Sequence, residues 1–276
     1  MSPLARLMLF FVALGAAFGG AVALGHAVGP IDRGGKTEAH GSSAMEMAPA
    51  GPAGLSIADH GLRLEPSRTT LAPGRAQSFS FLITNADGQP LRSYDVTHEK
   101  RMHLIVVRRD LTGFHHIHPV VQGERWVARI PALQPGSYRA FADFSTGGET
   151  TVLGVDLALA GSFTPSPLPR SHQAATPDGY IVSLDPGGPF ASGKETTVSF
   201  HVTRNGRTAA VGRYLGARGH LVILRAGDLA YLHTHADENS LQFGATFPSA
   251  GRYRAFLQFS AGGSVHTAPF TIEVDR

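Results

Sequence analysis

Two stretches of this sequence share one rhythm of apolar and polar positions. From about residue 56 to 160, short runs rich in β-branched and aromatic residues follow one another: GLRLEP, AQSFSFLIT, MHLIVVRR, FHHIH, RWVARIP, GSYRAFADF and TVLGVDLAL. Turn clusters separate them, among them APGR, NADGQP, RDLTG, QPG and STGG. Glycine supplies the positive φ that turns need, and proline cannot donate to a strand ladder, so both punctuate strands. From about 177 to 276 the series returns as YIVSLDP, TTVSFHVT, HLVILRA, YLHTH, LQFGATFP, GRYRAFLQF and TAPFTIEV. Some pairs align closely, such as SFLITNADG with SFHVTRNG, and GSYRAFADFSTGG with GRYRAFLQFSAGG. Short strands at regular spacing, given twice, predict an all-β chain of two tandem immunoglobulin-like antiparallel β-sandwich domains. The first covers 56–160 and the second 177–276. The Pro- and Ser-rich segment 161–176 (GSFTPSPLPRSHQAAT) reads as the linker.

Upstream of the repeats the alternation stops. Arg6 is followed by LMLFFVALGAAFGGAVALGHAVG (7–29), a run without charge and of about the length of a membrane span. It predicts an N-terminal membrane helix within 1–29. A cleaved secretory signal stays open as the other reading, with Ala21-Val22-Ala23 as a small-x-small site. Both put the repeats outside the cytoplasm if Arg6 stays inside. The chain is then a single-pass cell-membrane protein, or a secreted or periplasmic one. Residues 30–55 (PIDRGGKTEAHGSSAMEMAPAGPAGL) are too poor in large apolar residues to fold and read as a flexible tether. His40, Met45 and Met47 in it are donors suited to Cu(I), although an ordinary spacer accounts for them as well.

Composition narrows the chemistry. The 276 residues include 33 Gly, 18 Pro and only 16% charged residues, which favours strands and turns over long helices. The net charge of +3 is scattered without a basic stripe, so no nucleic-acid partner is expected. There is no cysteine, which removes disulfides, thiolate zinc sites, iron–sulfur clusters and blue-copper centres. A metal here must be held by imidazole, carboxylate, thioether or water.

Histidine is the residue that stands out, with fourteen in the chain. HLIVVRRDLTGFHHIH (103–118) lies over HLVILRAGDLAYLHTH (220–235), so His103, His116 and His118 recur as His220, His233 and His235. A hairpin turning at Asp110-Leu111 sets His103 opposite His118 and Ile105 opposite His116. Opposed residues share a face, as do residues two apart on a strand. All three imidazoles then converge near the open end of the hairpin. The same reasoning turns the second hairpin at Gly227-Asp228 and sets His220 opposite His235. Three imidazoles leave a tetrahedral ion one open position. A one-residue slip would scatter them, and histidines bonded to backbone carbonyls in a core are the competing reading. His98 and Glu99 precede the first trio. Asp143, replaced by Gln258 in the second repeat, could ligate a metal or orient an imidazole if its strand neighbours the hairpin. His115 and Met102 alternate away from the trio. His266 is expected to stay apart from the second trio, and Tyr138, Phe141, Tyr253 and Phe256 to act as core and corner aromatics. Ligand histidines must be neutral, so affinity is expected to fall as pH drops through about 6.5.

The blocks THEKRMHLIVVRRDLTGFHHIHP with PGSYRAFADF, and RYLGARGHLVILRAGDLAYLHTHA with AGRYRAFLQF, resemble a group of two-repeat bacterial extracytoplasmic proteins. These are loosely described as heavy-metal-associated or copper-linked secreted proteins and have no established activity. The resemblance covers roughly 56–276. It implies a membrane-tethered sandwich pair and a role in metal handling, and it assigns no ligands. In this chain the second repeat reads LHTHAD where HP is the more usual ending. Together these signs lead to one main expectation: a membrane-tethered module binding a copper or zinc ion to buffer it, sequester it or deliver it to a membrane metal transporter. A structural or adhesion protein of immunoglobulin-like domains without metal is the alternative. A His₃ zinc hydrolase is a further one, although no nucleophile elbow or acid–base pair accompanies the trio, so the chain is not read as an enzyme.

Overall fold

The computed structural model describes residues 51–185, 189–232, 234–237 and 239–276, with Ala5, Met8 and Leu14. The expected membrane segment and most of the tether lie outside the described residues. Among the described residues no helix is long and apolar enough to cross a membrane. The chain divides into compact units of residues 1–48 and 49–276, and the second holds both repeats.

Each repeat is a sandwich of two sheets. In the first repeat the outer sheet runs Ala58–Asp59, Leu62–Pro66, Gln77–Thr84, Arg125–Ile130, Val120–Gln122. The inner sheet runs Thr70–Leu71, Glu149–Leu159, Gly136–Thr146, His103–Arg108, His115–Ile117. In the second repeat the inner sheet runs Phe190–Ala191, Ser264–Asp275, Gly251–Ala261, Gly219–Arg225, Tyr231–Leu232. Its outer sheet runs Gln173–Ala175, Tyr180–Asp185, Glu195–Arg204, Gln242–Thr246, His235–Ala236. Alternate residues fill the two cores: Phe79, Phe81, Leu104, Val106 and Trp126 in the first, Val198, Phe200, Leu221, Ile223 and Phe243 in the second. Met102 is core too. Tyr138 and Tyr253 are corner residues, each donating its hydroxyl four residues back, to the carbonyls of Gln134 and Ser249.

The two sandwiches are not independent beads. The outward faces of the inner sheets meet and bury a third apolar cluster of Ile105, Val107, Phe141, Val152, Val222, Leu224, Tyr231 and Phe256. Phe114 stacks on Phe256 at 4.1 Å between ring centres, and Tyr231 packs against Phe141 at 5.5 Å. Phe114 and Tyr231 are equivalent in the two repeats, as are Phe141 and Phe256, so each repeat uses the same residues on the other. This explains the runs HLIVV and HLVIL. A strand with solvent on one face alternates, whereas these strands are covered on both faces and carry apolar residues at successive positions.

Residues 51–55, read as the end of a flexible tether, are docked instead. The Gly54 amide donates to the Val152 carbonyl, the Tyr231 amide donates to Ala53, and the buried Arg139 guanidinium donates to the carbonyls of Gly54 and Leu55. The approach is so close that a Cβ at Gly154 would lie 2.0 Å from the Gly54 oxygen. The backbone hydrogen bonds and the arginine outweigh the low apolar content that made this stretch read as free.

Candidate metal centre at the junction of the repeats

The hairpin register decides which face the histidines take. Ile105 pairs with His116 and Leu104 with Ile117, the register of a turn at Asp110-Leu111. His103 therefore shares a face with Ile105 and Val107, and this is the face that meets the second repeat. Around it the rings of His103, His116 and His118 form a near-equilateral triangle, with centres 5.1, 5.1 and 4.8 Å apart. One ring nitrogen of each lies within 4.8 Å of the others, the geometry of a three-donor cluster.

The hydrogen bonds around the trio leave its nitrogens in conflict. His103 Nε2 faces the Thr97 carbonyl at 3.1 Å, and a carbonyl only accepts, so this nitrogen carries the proton. A neutral His103 then has a bare Nδ1. The Gln258 amide nitrogen points at the Thr267 hydroxyl, which turns its Oε1 towards His116 Nδ1 at 2.6 Å. In this amide orientation that nitrogen donates, which leaves a neutral His116 with a bare Nε2. The two bare nitrogens face each other at 2.9 Å. A proton between them would make a buried imidazolium. Burial, together with His103 and His118 close by, holds His116 well below the usual histidine range. His118 adds a third ring, whose Nε2 is buried without a hydrogen-bond partner. Burial, helped by His103 and Lys100, pushes its pKa down to about 4. Two bare imidazole nitrogens whose far N–H groups are fixed on oxygens, with the unpartnered His118 Nε2 beside them, suit a divalent cation such as Cu(II) or Zn(II). The depressed values keep His116 and His118 neutral, as ligands must be, to more acid pH than ordinary histidines.

The second repeat contributes differently from expectation. Its hairpin keeps the expected register where it is paired, Ile223 with Leu232 and Leu224 with Tyr231. It then leaves the inner sheet. The Thr234 hydroxyl takes the carbonyl of Leu221, the residue a continued ladder would set opposite it, and His235 pairs with Gly244 of the outer sheet instead of facing His220. His233 and the side chain of His235 lie outside the described residues. His220 instead turns towards the first repeat, with its ring 4.8 Å from His98 and 6.5 Å from His116. Burial pushes its pKa down to about 4, with His98 and His103 adding to the effect.

Asp143 sits directly opposite His103 on the neighbouring strand, but its carboxylate accepts from the Tyr231 hydroxyl at 2.9 Å. The group that orients an imidazole of the trio is its counterpart Gln258, reaching over from the other repeat. His98 occupies a two-residue turn between Thr97 and Lys100, with His98 and Glu99 both left-handed at φ 50 and 60. The second repeat builds the same turn from Leu215 and Gly216. His266 stays apart, with Nε2 on the Ala261 carbonyl and Nδ1 near Asp178. His115 is half-buried and lies off the trio's face. Gln258 and the Thr97 carbonyl were not read from the sequence. The alignment of GSYRAFADF with GRYRAFLQF does place Gln258 at the position of Asp143, which is the signal that points to it.

Comparisons with known proteins give one family and a set of distant likenesses, and name no ligand. The chain is similar to a Salmonella alpha-2-macroglobulin at 14% identity and TM-score 0.29, covering 85% of this chain but only 16% of that one. It is similar to fibronectin(III)-like modules of CbhA from Clostridium thermocellum at 8% identity and TM-score 0.24, covering 77% and 93% of the two chains. It is also similar to the tandem Ig repeats of Dlar at 9% identity and TM-score 0.22, covering 78% and 97%. No curated protein matches the sequence. One family model, described as Domain of unknown function (DUF8832), matches twice, over residues 57–160 and 174–276.

Proposed function

The chain belongs to the DUF8832 family and carries its domain twice, and we propose that it is an extracytoplasmic metal-binding module whose first-repeat histidines take a copper or zinc ion. The observation that supports this reading is the facing pair of bare nitrogens on His103 and His116 at 2.9 Å, with the orphaned His118 Nε2 beside them. A purely structural cluster would set a donor opposite each ring acceptor, whereas here both N–H groups donate outward to oxygens and the inner nitrogens face each other bare. Copper would bind more tightly than zinc by the Irving–Williams order. The uncharged run 7–29 supports a membrane tether, which would keep the module beside a membrane metal transporter as a buffer, a sink or a donor.

Calorimetric titration with Cu(II) and Zn(II) tests this. The chain binds, and His116→Ala with His118→Ala removes the tightest event while circular dichroism stays that of a folded β protein. Unchanged binding in that folded variant refutes the reading and leaves the immunoglobulin-like structural role.

A further inference from the structure

We propose a second cation position beside the first, shared between the repeats and held by His98 and His220, for the same imidazole-seeking class of ion; it rests on the metal reading of the trio. His220 is the counterpart of His103, and its backbone anchor is the same. Its Nε2 faces the Tyr214 carbonyl at 2.8 Å, as that of His103 faces Thr97 at 3.1 Å, each bond reaching six residues back. Both Nε2 atoms carry the proton, so in both neutral rings the lone pair is on Nδ1. In the first repeat that lone pair turns into the trio.

Against His220 stands His98, its ring at 4.8 Å and nearly perpendicular. This is the spacing of His116 and His118 within the trio. The pair lies one ring further along than the first position, with His98 at 6.2 Å from His103 and His220 at 6.5 Å from His116. The five rings thus form a continuous belt across the junction.

His98 is not there for the turn. Leu215 and Gly216 make the same turn in the second repeat, so the turn itself does not call for an imidazole. The two turn tips also meet. A Cβ on Gly216 would lie 3.9 Å from Glu99 Oε1, which brings a carboxylate to the seam. His98 and His220 line a cavity of about 70 Å³ together with His103, His116 and Asp143, a space able to take an ion with water in its remaining positions.

The test is metal stoichiometry on the full chain, by elemental analysis and calorimetry with Cu(II) and with Zn(II). The wild type takes two ions. His98→Asn, which suits the left-handed turn, and His220→Gln each take one and keep the tighter event unchanged. The variant lacking His116 and His118 keeps the weaker event. Two neighbouring Cu(II) ions couple magnetically, so the wild type gives less electron-paramagnetic signal than two isolated ions, and His98→Asn restores a single uncoupled one. One ion in the wild type, unaffected by His98→Asn or His220→Gln, overturns the second position and leaves the first intact. Loss of all binding in folded His220→Gln makes His220 a ligand of a single site and overturns the proposal too. No ion bound by the wild type sinks the underlying metal reading.

Discussion

Lowering the pH from 7 to 5 should destabilise the metal-free protein in a way that can be worked out at His220. This residue is buried and its pKa sits at about 4 when folded, against an ordinary 6.5. The unfolded chain therefore takes up a proton between pH 6.5 and 4 that the folded chain refuses. Stability contributed by the neutral ring is complete above 6.5 and is lost as pH falls through this window. Between pH 7 and 5 the loss from His220 is about 1.8 kcal/mol. His116 and His118 act in the same direction, the half-exposed His118 with more screening. A total stability of about 5–15 kcal/mol is typical, so the effect is large. Trp126 is the chain's single tryptophan and lies buried in the first core, so its fluorescence reports urea unfolding. At a slope of roughly 2 kcal/mol per molar urea, His220 alone shifts the midpoint by about 1 M. His220→Gln should show a correspondingly weaker pH dependence, and Zn(II) should cancel most of the loss by binding only the folded state. A midpoint that is the same at pH 7 and pH 5, or a pH dependence unchanged in His220→Gln, refutes the burial argument.

Two further outcomes follow from the junction. Gln258→Leu removes the acceptor that fixes the His116 tautomer and should weaken Cu(II) binding about 10–100-fold without abolishing it, measured by competition against a chelator of known affinity. Protease cleavage within the exposed stretch 169–172 should leave two fragments that still elute together, because the third apolar cluster holds them; separation on a sizing column without denaturant refutes that packing.

Much of this architecture is readable in the amino-acid order, and the parts that are not share one cause. The duplication, the strand runs and the hairpin register are local, and alternation with turn chemistry is enough to state them. The convergence of His103, His116 and His118 follows from that register alone. The docking of the repeats also left a local trace: HLIVV and HLVIL do not alternate, as strands buried on both faces do not. What covers those second faces is not local. His220 has the spacing of a second trio, yet it serves the first repeat, because Thr234 ends the inner ladder early and the packing of the two inner sheets brings His98 to it. Asp143 and Gln258 hold equivalent positions and trade partners across the seam, one meeting Tyr231 and the other His116. A duplicated motif thus need not yield duplicated sites. When two copies pack through the same face, each copy's polar residues are spent on the other's. Divergence at that face, Asp against Gln and His98 against Leu215, then turns a symmetric pair of domains into one asymmetric centre.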